Sequence, residues 1–293
     1  MGRNPRNKGA KRPMNHSEKP YAGLALLTDL DGTLLTPEKT VSPEDAAAIA
    51  DFRRKGGLFS IATGRGTQAS QEFLELLKPD FPAVMYNGAL LYDPAKQQIV
   101  GAAHLPAGTK AILLELMREF PDVGAEVLAP DGVFVLQEND YERQHLEITH
   151  IPLVRKTLDE IPPEQCYKSL FAGAPERISA MLDYVKQERF ALVNFTRSHQ
   201  WFLEILPHDT SKGTALTKLR RFLPEGTVIG AAGDFDNDIA MLLAADFCGC
   251  PADSQSSVRA AVAEKGGFLS EKTCKNGFFA DWIAEFVRHC GRA

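Results

Sequence analysis

No stretch of the 293-residue sequence holds the ~18–20 consecutive apolar residues that a membrane-spanning helix needs, so no membrane partner is expected. Cysteine is scarce and unpatterned. Cys166, Cys248, Cys250, Cys274 and Cys290 form an odd set of five with no paired zinc-ligand spacings. That argues against a disulfide framework or a structural zinc, and favours free thiols in a reducing cytoplasm. Cys248 and Cys250 alternate along the strand-like run Asp246-Phe-Cys-Gly-Cys250 and are expected as small core residues. Nor is there an excess of either charge: 33 Lys and Arg stand against 38 Asp and Glu, a net −5. Apolar residues make up 44% and charged residues 24%, an ordinary globular composition. At roughly 100–200 residues per domain, the length fits two domains or one domain with a large insertion.

The charge that is present is unevenly placed. Residues 1–19 carry Arg3, Arg6, Lys8, Lys11, Arg12 and Lys19 against Glu18 alone, a balance of +5 that leaves −10 for the remainder. With almost no apolar residue to offset its ordering entropy, this segment is expected to be a disordered basic tail over residues 1–20. It lacks the apolar stretch of a secretory signal, and Arg6 stands where a myristoylation signal needs Ser or Thr. Six scattered cations read as a solvated terminus, and no nucleic-acid partner is expected.

Past the tail, short apolar runs alternate with helical segments. Gly23-Leu-Ala-Leu-Leu-Thr28 suits a fully buried strand, and Leu58-Phe-Ser-Ile-Ala62 and Ala83-Val-Met-Tyr86 repeat the pattern. Between them, Ser42-Pro43-Glu44-Asp45 has the cap, proline and acidic first turn of a helix start, and 67–77 reads as a second helix. This rhythm predicts a parallel sheet with right-handed crossovers. After Asn87-Gly88 the pattern changes to strand pairs and helices, and the strand–helix rhythm resumes near 207. The expected architecture is therefore an α/β, Rossmann-like core from 21–87 and 207–293, interrupted by an inserted α+β module over 88–206.

Chemistry-bearing residues gather at the predicted strand ends. Asp29-Leu-Asp31-Gly32-Thr33 follows the first strand, and residues i and i+2 leave a strand on the same side. Both carboxylates can then address one bound group, one as nucleophile and one as proton donor, although Asp and Gly are also ordinary turn residues. Gly233-Asp234-Phe-Asp236-Asn237-Asp238 follows the strand 227–232 in the same way. Carboxylates converging there repel one another unless a hard cation neutralises them, and Mg2+ fits that demand. A calcium loop of the EF-hand kind is excluded, because Ile239 stands where Gly is needed and Ala245 where Glu is needed. In Ile61-Ala-Thr63-Gly64-Arg65, a hydroxyl and nearby backbone amides are suited to holding phosphate oxygens, with Arg65 in support. Lys212 opens a helix, where a cation is misplaced on the helix dipole unless its ammonium turns back to the carboxylates and the phosphate.

Together and in this order the four motifs resemble the haloacid dehalogenase (HAD) superfamily, in its Cof-type phosphatase branch, over about residues 23–290. The resemblance implies Asp29 as nucleophile, Asp31 as general acid and base, Thr63, Gly64 and Lys212 as phosphate binders, and Arg65 and Asn237 as supporting residues. It implies Mg2+ held by Asp29, Asp234, Asp238 and the Asp31 carbonyl. Asn87-Gly88-Ala89 matches the branch's hinge into a large cap. Asp31 favours ester hydrolysis, since relatives that act as ion pumps or phosphonate hydrolases lack that carboxylate. Cys248-Gly-Cys-Pro-Ala-Asp253 departs from the Gly-Asn-Ala usual in the branch. The expected activity is hydrolysis of a small phosphoester such as a sugar phosphate, nucleotide or phosphorylated cofactor. A sugar phosphomutase or phosphotransferase, and a non-catalytic phospho-ligand binder, are the alternatives.

Overall fold

A computed structural model describes residues 19–292. The basic tail expected at residues 1–20 falls, up to residue 18, outside the described residues.

The chain begins with β1 (Leu24–Thr28), α1 (Pro43–Arg54), β2 (Leu58–Ile61), α2 (Thr67–Leu77) and β3 (Ala83–Met85). Local signals set these limits. The Ser42 hydroxyl accepts from the Asp45 amide with Pro43 in the first turn of α1, and α2 stops where Lys78 turns left-handed. A hairpin follows, β4 (Leu90–Asp93) and β5 (Gln98–Ala102). Then come α3 (Thr109–Glu119), β6 (Gly124–Ala129), β7 (Gly132–Gln137), α4 (Asp140–Thr149), β8 (Lys168–Ala172), α5 (Pro175–Tyr184), β9 (Val193–His199) and β10 (Phe202–Pro207). The chain closes with α6 (Lys212–Leu219), β11 (Val228–Ala232), α7 (Ile239–Ala244), β12 (Phe247–Cys250), α8 (Ser256–Glu264), β13 (Phe268–Leu269) and α9 (Phe278–His289). Among the described residues no helix is long and apolar enough to cross a membrane.

The first sheet is parallel in the order β13-β12-β11-β1-β2, with Leu24 opposite Val228 and Thr28 opposite Ala232. Every residue of β1 is buried, because both faces are covered. Leu24 and Leu26 pack with Ile49, Phe52, Trp282 and Phe286 from α1 and α9. Ala25 and Leu27 point the other way, to Leu216, Met241 and Val258 from α6, α7 and α8. The two-residue period of a strand thus divides one apolar run between two cores. Cys248 and Cys250 lie buried in β12 as small core residues.

The second sheet is antiparallel in the order β7-β6-β8-β10-β9 and forms the cap. One face, with Ala125, Val127, Phe171 and Leu203, packs against Leu113 and Leu116 of α3 and Ile178 and Met181 of α5. The alternate positions Glu126, Leu128, Lys168, Leu170 and Glu204 are buried on the opposite face, which meets α4 and the core. The hairpin β4–β5, expected to open the inserted module, pairs instead with β3, and a parallel bridge from Ala62 to Val84 links β3 to the main sheet.

Two elements of the cap carry no strong sequence signal. Helix α4 is polar and buries only Glu142 and Leu146, while β8 begins at a lysine that reads as a surface residue.

Glu142 and Glu126 are fully buried side by side, with no hydrogen-bond partner for any carboxyl oxygen, and His145 Nε2 stands 3.4 Å from Glu126. Two such carboxyls do not ionise together. Burial, then the charge of Glu126, pushes the Glu142 pKa far above the usual carboxyl range, so Glu142 keeps its proton in the folded chain. Because the folded pKa exceeds the unfolded one, this contribution is complete below about pH 4 and is lost as pH rises. Glu142→Gln, neutral at every pH, should match the parent near pH 4–5 and melt at a progressively higher relative temperature toward pH 9. Thermal unfolding across that range checks the trend.

Candidate active site

The parallel sheet delivers three loops to one edge, where open α/β sheets bind ligands. Asp29 follows β1 directly, its amide donating to the Ala232 carbonyl at 2.9 Å, so the first strand hands its carboxylate to the edge beside β11. Asp234 and Asp238 follow β11. Gly32, at φ +83°, turns the first loop back, and a Cβ there would lie 2.4 Å from Asp234 Oδ2. Only glycine lets the two acidic loops approach this closely.

Lys212 lies between them, wholly buried at the start of α6. Its ammonium donates to Asp29 Oδ1 and to Asp238 Oδ1, both at 2.6 Å. Burial opposes its charge, but Asp238 and Asp29 outweigh that, and the pKa sits above the ordinary lysine value. Asp238 is held in turn by the amides of Asp234 and Phe235 at 3.0 and 3.2 Å, and Thr33 Oγ1 donates to Asp234 Oδ1 at 2.8 Å. Burial pushes Asp29 up to about 7, with Lys212 acting against it and Asp238 and Asp31 adding to it. Asp234 is raised well above the usual range by burial and by Asp29 and Asp238.

These are the marks of an unbalanced acidic cluster. One oxygen from each of Asp29, Asp234 and Asp238 falls within 4.8 Å of the others, with a single ammonium among three carboxylates. The all-oxygen donor set and its surplus negative charge fit a hard divalent cation.

Asp31 stands apart from the cluster. Arg65 grips it bidentately, Nε to Oδ2 at 2.6 Å and Nη2 to Oδ1 at 2.7 Å, and Lys39 adds a third contact at 2.6 Å. Burial works to raise its pKa, yet Arg65 and Lys39 prevail and hold it down to about 2. Sequence reasoning placed Arg65 beside the site without this grip and passed over Lys39, which lies eight residues beyond Asp31 in a loop. Thr63 is buried past the end of β2, where its hydroxyl accepts from the Arg65 amide at 3.1 Å. Asn237 is not turned toward the carboxylates, since its side-chain amide donates to Asn87 Oδ1 at 3.0 Å.

Eight of the nine residues predicted from sequence line one cleft of about 590 Å3, in which Asp29, Asp31, Thr63, Gly64 and Asp234 form the floor, and the ninth, Lys212, is buried behind Asp29 and Asp238. The cap supplies the roof, which the motifs did not reveal. His199 lies 5.0 Å from Trp201 and 5.4 Å from Phe202, ring centre to ring centre, and stacks on Phe235 of the core at 6.3 Å. His145 meets Phe202 at 4.8 Å. Burial first, then Lys39 and Arg197, holds the His199 pKa below its ordinary value, so the ring is neutral near pH 7.

Comparison with known proteins accords with this geometry. A sequence model of the haloacid dehalogenase-like hydrolases matches residues 26–273. The pyridoxal phosphate phosphatase YbhA of Escherichia coli is 30% identical over 238 residues, covering 74% of this chain and 83% of that protein. The 5-amino-6-(5-phospho-D-ribitylamino)uracil phosphatase YitU of Bacillus subtilis is 27% identical over 240 residues, 79% of this chain and 85% of its own. In fold, the chain resembles BT1666 from Bacteroides thetaiotaomicron, a phosphatase of the same superfamily, at a TM-score of 0.74 and 23% identity over 98% of this chain and 100% of that one.

Occupancy of the acidic cluster by a cation should stabilise the folded chain by about 2.7 kcal/mol at a hundredfold excess over its dissociation constant. Thermal unfolding with and without Mg2+ should show the rise. Asp234→Asn, which keeps an acceptor for Thr33, should abolish it without lowering the metal-free melting temperature.

Proposed function

The chain belongs to the Cof-type branch of the haloacid dehalogenase-like hydrolases, and from that membership we propose that it hydrolyses phosphate monoesters of small planar heteroaromatic alcohols through a phosphorylated Asp29. One observation carries the reading: a floor of Asp29, Asp31, Thr63 and Gly64 lies under a roof of aromatic rings, in a single cleft of about 590 Å3. That volume is within the usual range for a small-molecule site. Pyridine and pyrimidine rings, as in the substrates for which the two relatives are named, stack on such surfaces.

In the first step an Asp29 carboxylate oxygen attacks phosphorus, and the ester oxygen leaves with a proton from Asp31. In the second, Asp31 takes a proton from water, the resulting hydroxide attacks phosphorus, and inorganic phosphate departs as Asp29 is regenerated. Thr63 and backbone amides of the 63–65 loop hold phosphate oxygens, and Lys212 keeps Asp29 ionised and aimed. Asp29, Asp234, Asp238 and the Asp31 carbonyl would hold a divalent cation, which would supply charge neutralisation between carboxylates and phosphate. Gripped by Arg65 and Lys39, Asp31 is set as the base of the second step. Donation in the first step requires those cations to turn toward the arriving phosphate dianion.

Assayed with Mg2+, pyridoxal phosphate and related ring phosphates should release inorganic phosphate at higher kcat/KM than aliphatic sugar phosphates. Asp29→Asn should remove essentially all turnover while the chain stays folded, because the amide keeps the shape and cannot attack. A preference for sugar phosphates would overturn the substrate class, and an active Asp29→Asn protein the nucleophile.

Asp31 does different work in the two steps. With a nitrophenyl ester, whose anion leaves without protonation, Asp31→Ala should give a burst near one equivalent of enzyme and then slow turnover. With an alkyl phosphate the first step itself should fall by ~10²–10⁴-fold. Rapid mixing with acid quench reads both, and equal losses without trapped phosphoenzyme would refute the assignment.

A further inference from the structure

Two charged side chains of the cap are buried where the cap meets the core, and the mechanism above gives them no task. Lys168 on β8 is 3% exposed and Glu204 on β10 is 2% exposed. The Lys168 ammonium donates to Glu204 Oε2 at 2.7 Å and crosses into the core to donate to the Gly64 carbonyl at 2.8 Å. The same oxygen of Glu204 accepts from the side-chain amide of Asn87 at 2.7 Å, and the Asn87 backbone amide donates to the Thr63 carbonyl at 3.0 Å. The contacts close into a ring. The carbonyls of Thr63 and Gly64 are held by the Asn87 backbone amide and the Lys168 ammonium, and the Asn87 side-chain amide and the same ammonium meet on one carboxylate oxygen from the cap.

The ring bears on the Thr63 hydroxyl. A peptide unit is planar, and in the trans form its C=O and the following N–H point in opposite directions. Fixing the Gly64 carbonyl on Lys168 therefore fixes the Arg65 N–H on the other side of that plane, and this N–H donates to Thr63 Oγ1 at 3.1 Å. A hydroxyl has one hydrogen and two acceptor positions. With an acceptor position filled from behind, Thr63 keeps its hydrogen for the cleft. Asn87 is itself in the left-handed region at φ +54°, between Tyr86 at +50° and Gly88 at +106°, at the point where the chain departs β3. Such a run persists only when the surroundings impose it, and the side chains of Glu204 and Asn237 hold Asn87.

We propose that Lys168, neutralised by Glu204, is a positioning residue for Thr63: with the cap seated, it orients the peptide between Gly64 and Arg65 so that the Thr63 hydroxyl donates into the cleft. The phosphate site is thus complete only when the cap is down. This rests on the reading of Thr63 as a phosphate donor.

Lys168→Met alone strands the Glu204 charge and risks unfolding, so the decisive variant is Lys168→Met/Glu204→Gln, which removes both charges and leaves Asn87 an acceptor. The first measurement is hydrogen exchange of the full chain, followed by mass spectrometry over 63–67 and over cap peptides covering β6 and β8. Faster exchange is expected at 63–67, with the cap strands unchanged. The second is steady-state hydrolysis of pyridoxal phosphate with Mg2+, where kcat should fall by roughly 10²-fold, the usual scale for a displaced contact group, with KM changed by no more than about threefold. Unchanged turnover, or exchange that accelerates evenly through the cap, overturns the proposal. If the parent hydrolyses no phosphoester, the reading of function fails separately and the exchange arm alone decides, unaltered protection at 63–67 then counting against the ring.

Discussion

A single buried ammonium makes the sheet edge habitable. Asp29, Asp234 and Asp238 are brought together by strand pairing, and the two backbone amides that hold Asp238 carry no net charge to balance them. Lys212 contacts two of the three and is wholly buried. Breaking such an arrangement by removing one partner typically costs ~3–5 kcal/mol, so the packing of α6 against the sheet depends on charge as much as on apolar area. Remaining features follow from this constraint. The surplus negative charge suits a cation, Gly32 allows the two acidic loops to touch, and Asp31 is drawn off to Arg65 and Lys39 rather than adding a fourth carboxylate.

Core and cap meet through a mixed seam. One apolar cluster runs from the core into Leu128, Tyr167 and Leu170 of the cap, with the Tyr86 and Tyr167 rings 4.9 Å apart. Polar and aromatic links are set beside it: Lys168 to Gly64, Asn194 to the Thr210 carbonyl, and His199 on Phe235. A buried ion pair contributes little net stability, because desolvation offsets its Coulomb attraction, whereas removal of one partner is costly.

Much of this was legible in the sequence, for physical reasons. Buried strands ending in acidic loops leave a one-dimensional trace, and so do helix starts such as Ser42-Pro43, because their determinants are neighbours in the chain. The helix over 67–77 ends where it was expected to end. What was not legible depends on partners far away in sequence. Lys168 and Glu204 look like surface charges until β8 and β10 are paired, 36 residues apart. Helix α4 escaped because it buries only two side chains, one of them a glutamate. The aromatic roof escaped because His145, His199, Trp201 and Phe202 form a surface only once α4 and the β9–β10 hairpin are folded together. Asn237 was expected as a supporting residue of the site, but its partner Asn87, 150 positions away, was not legible.

The pairing of β1 with β11 sets an order of events during synthesis. Leu24 lies opposite Val228, so the strand that bears Asp29 emerges from the ribosome about 200 residues before its neighbour exists. At ~5–20 residues per second this interval is roughly 10–40 s. All cap strands are complete at Pro207, ahead of β11, and the Leu105–Ile205 cluster needs nothing made later. Translation therefore finishes the lid before the vessel. Meanwhile the apolar run Leu24-Ala-Leu-Leu27 has only β2 beside it, with one edge unpaired. The greatest exposure to misassembly falls on the nascent chain, in the segment that leads into Asp29.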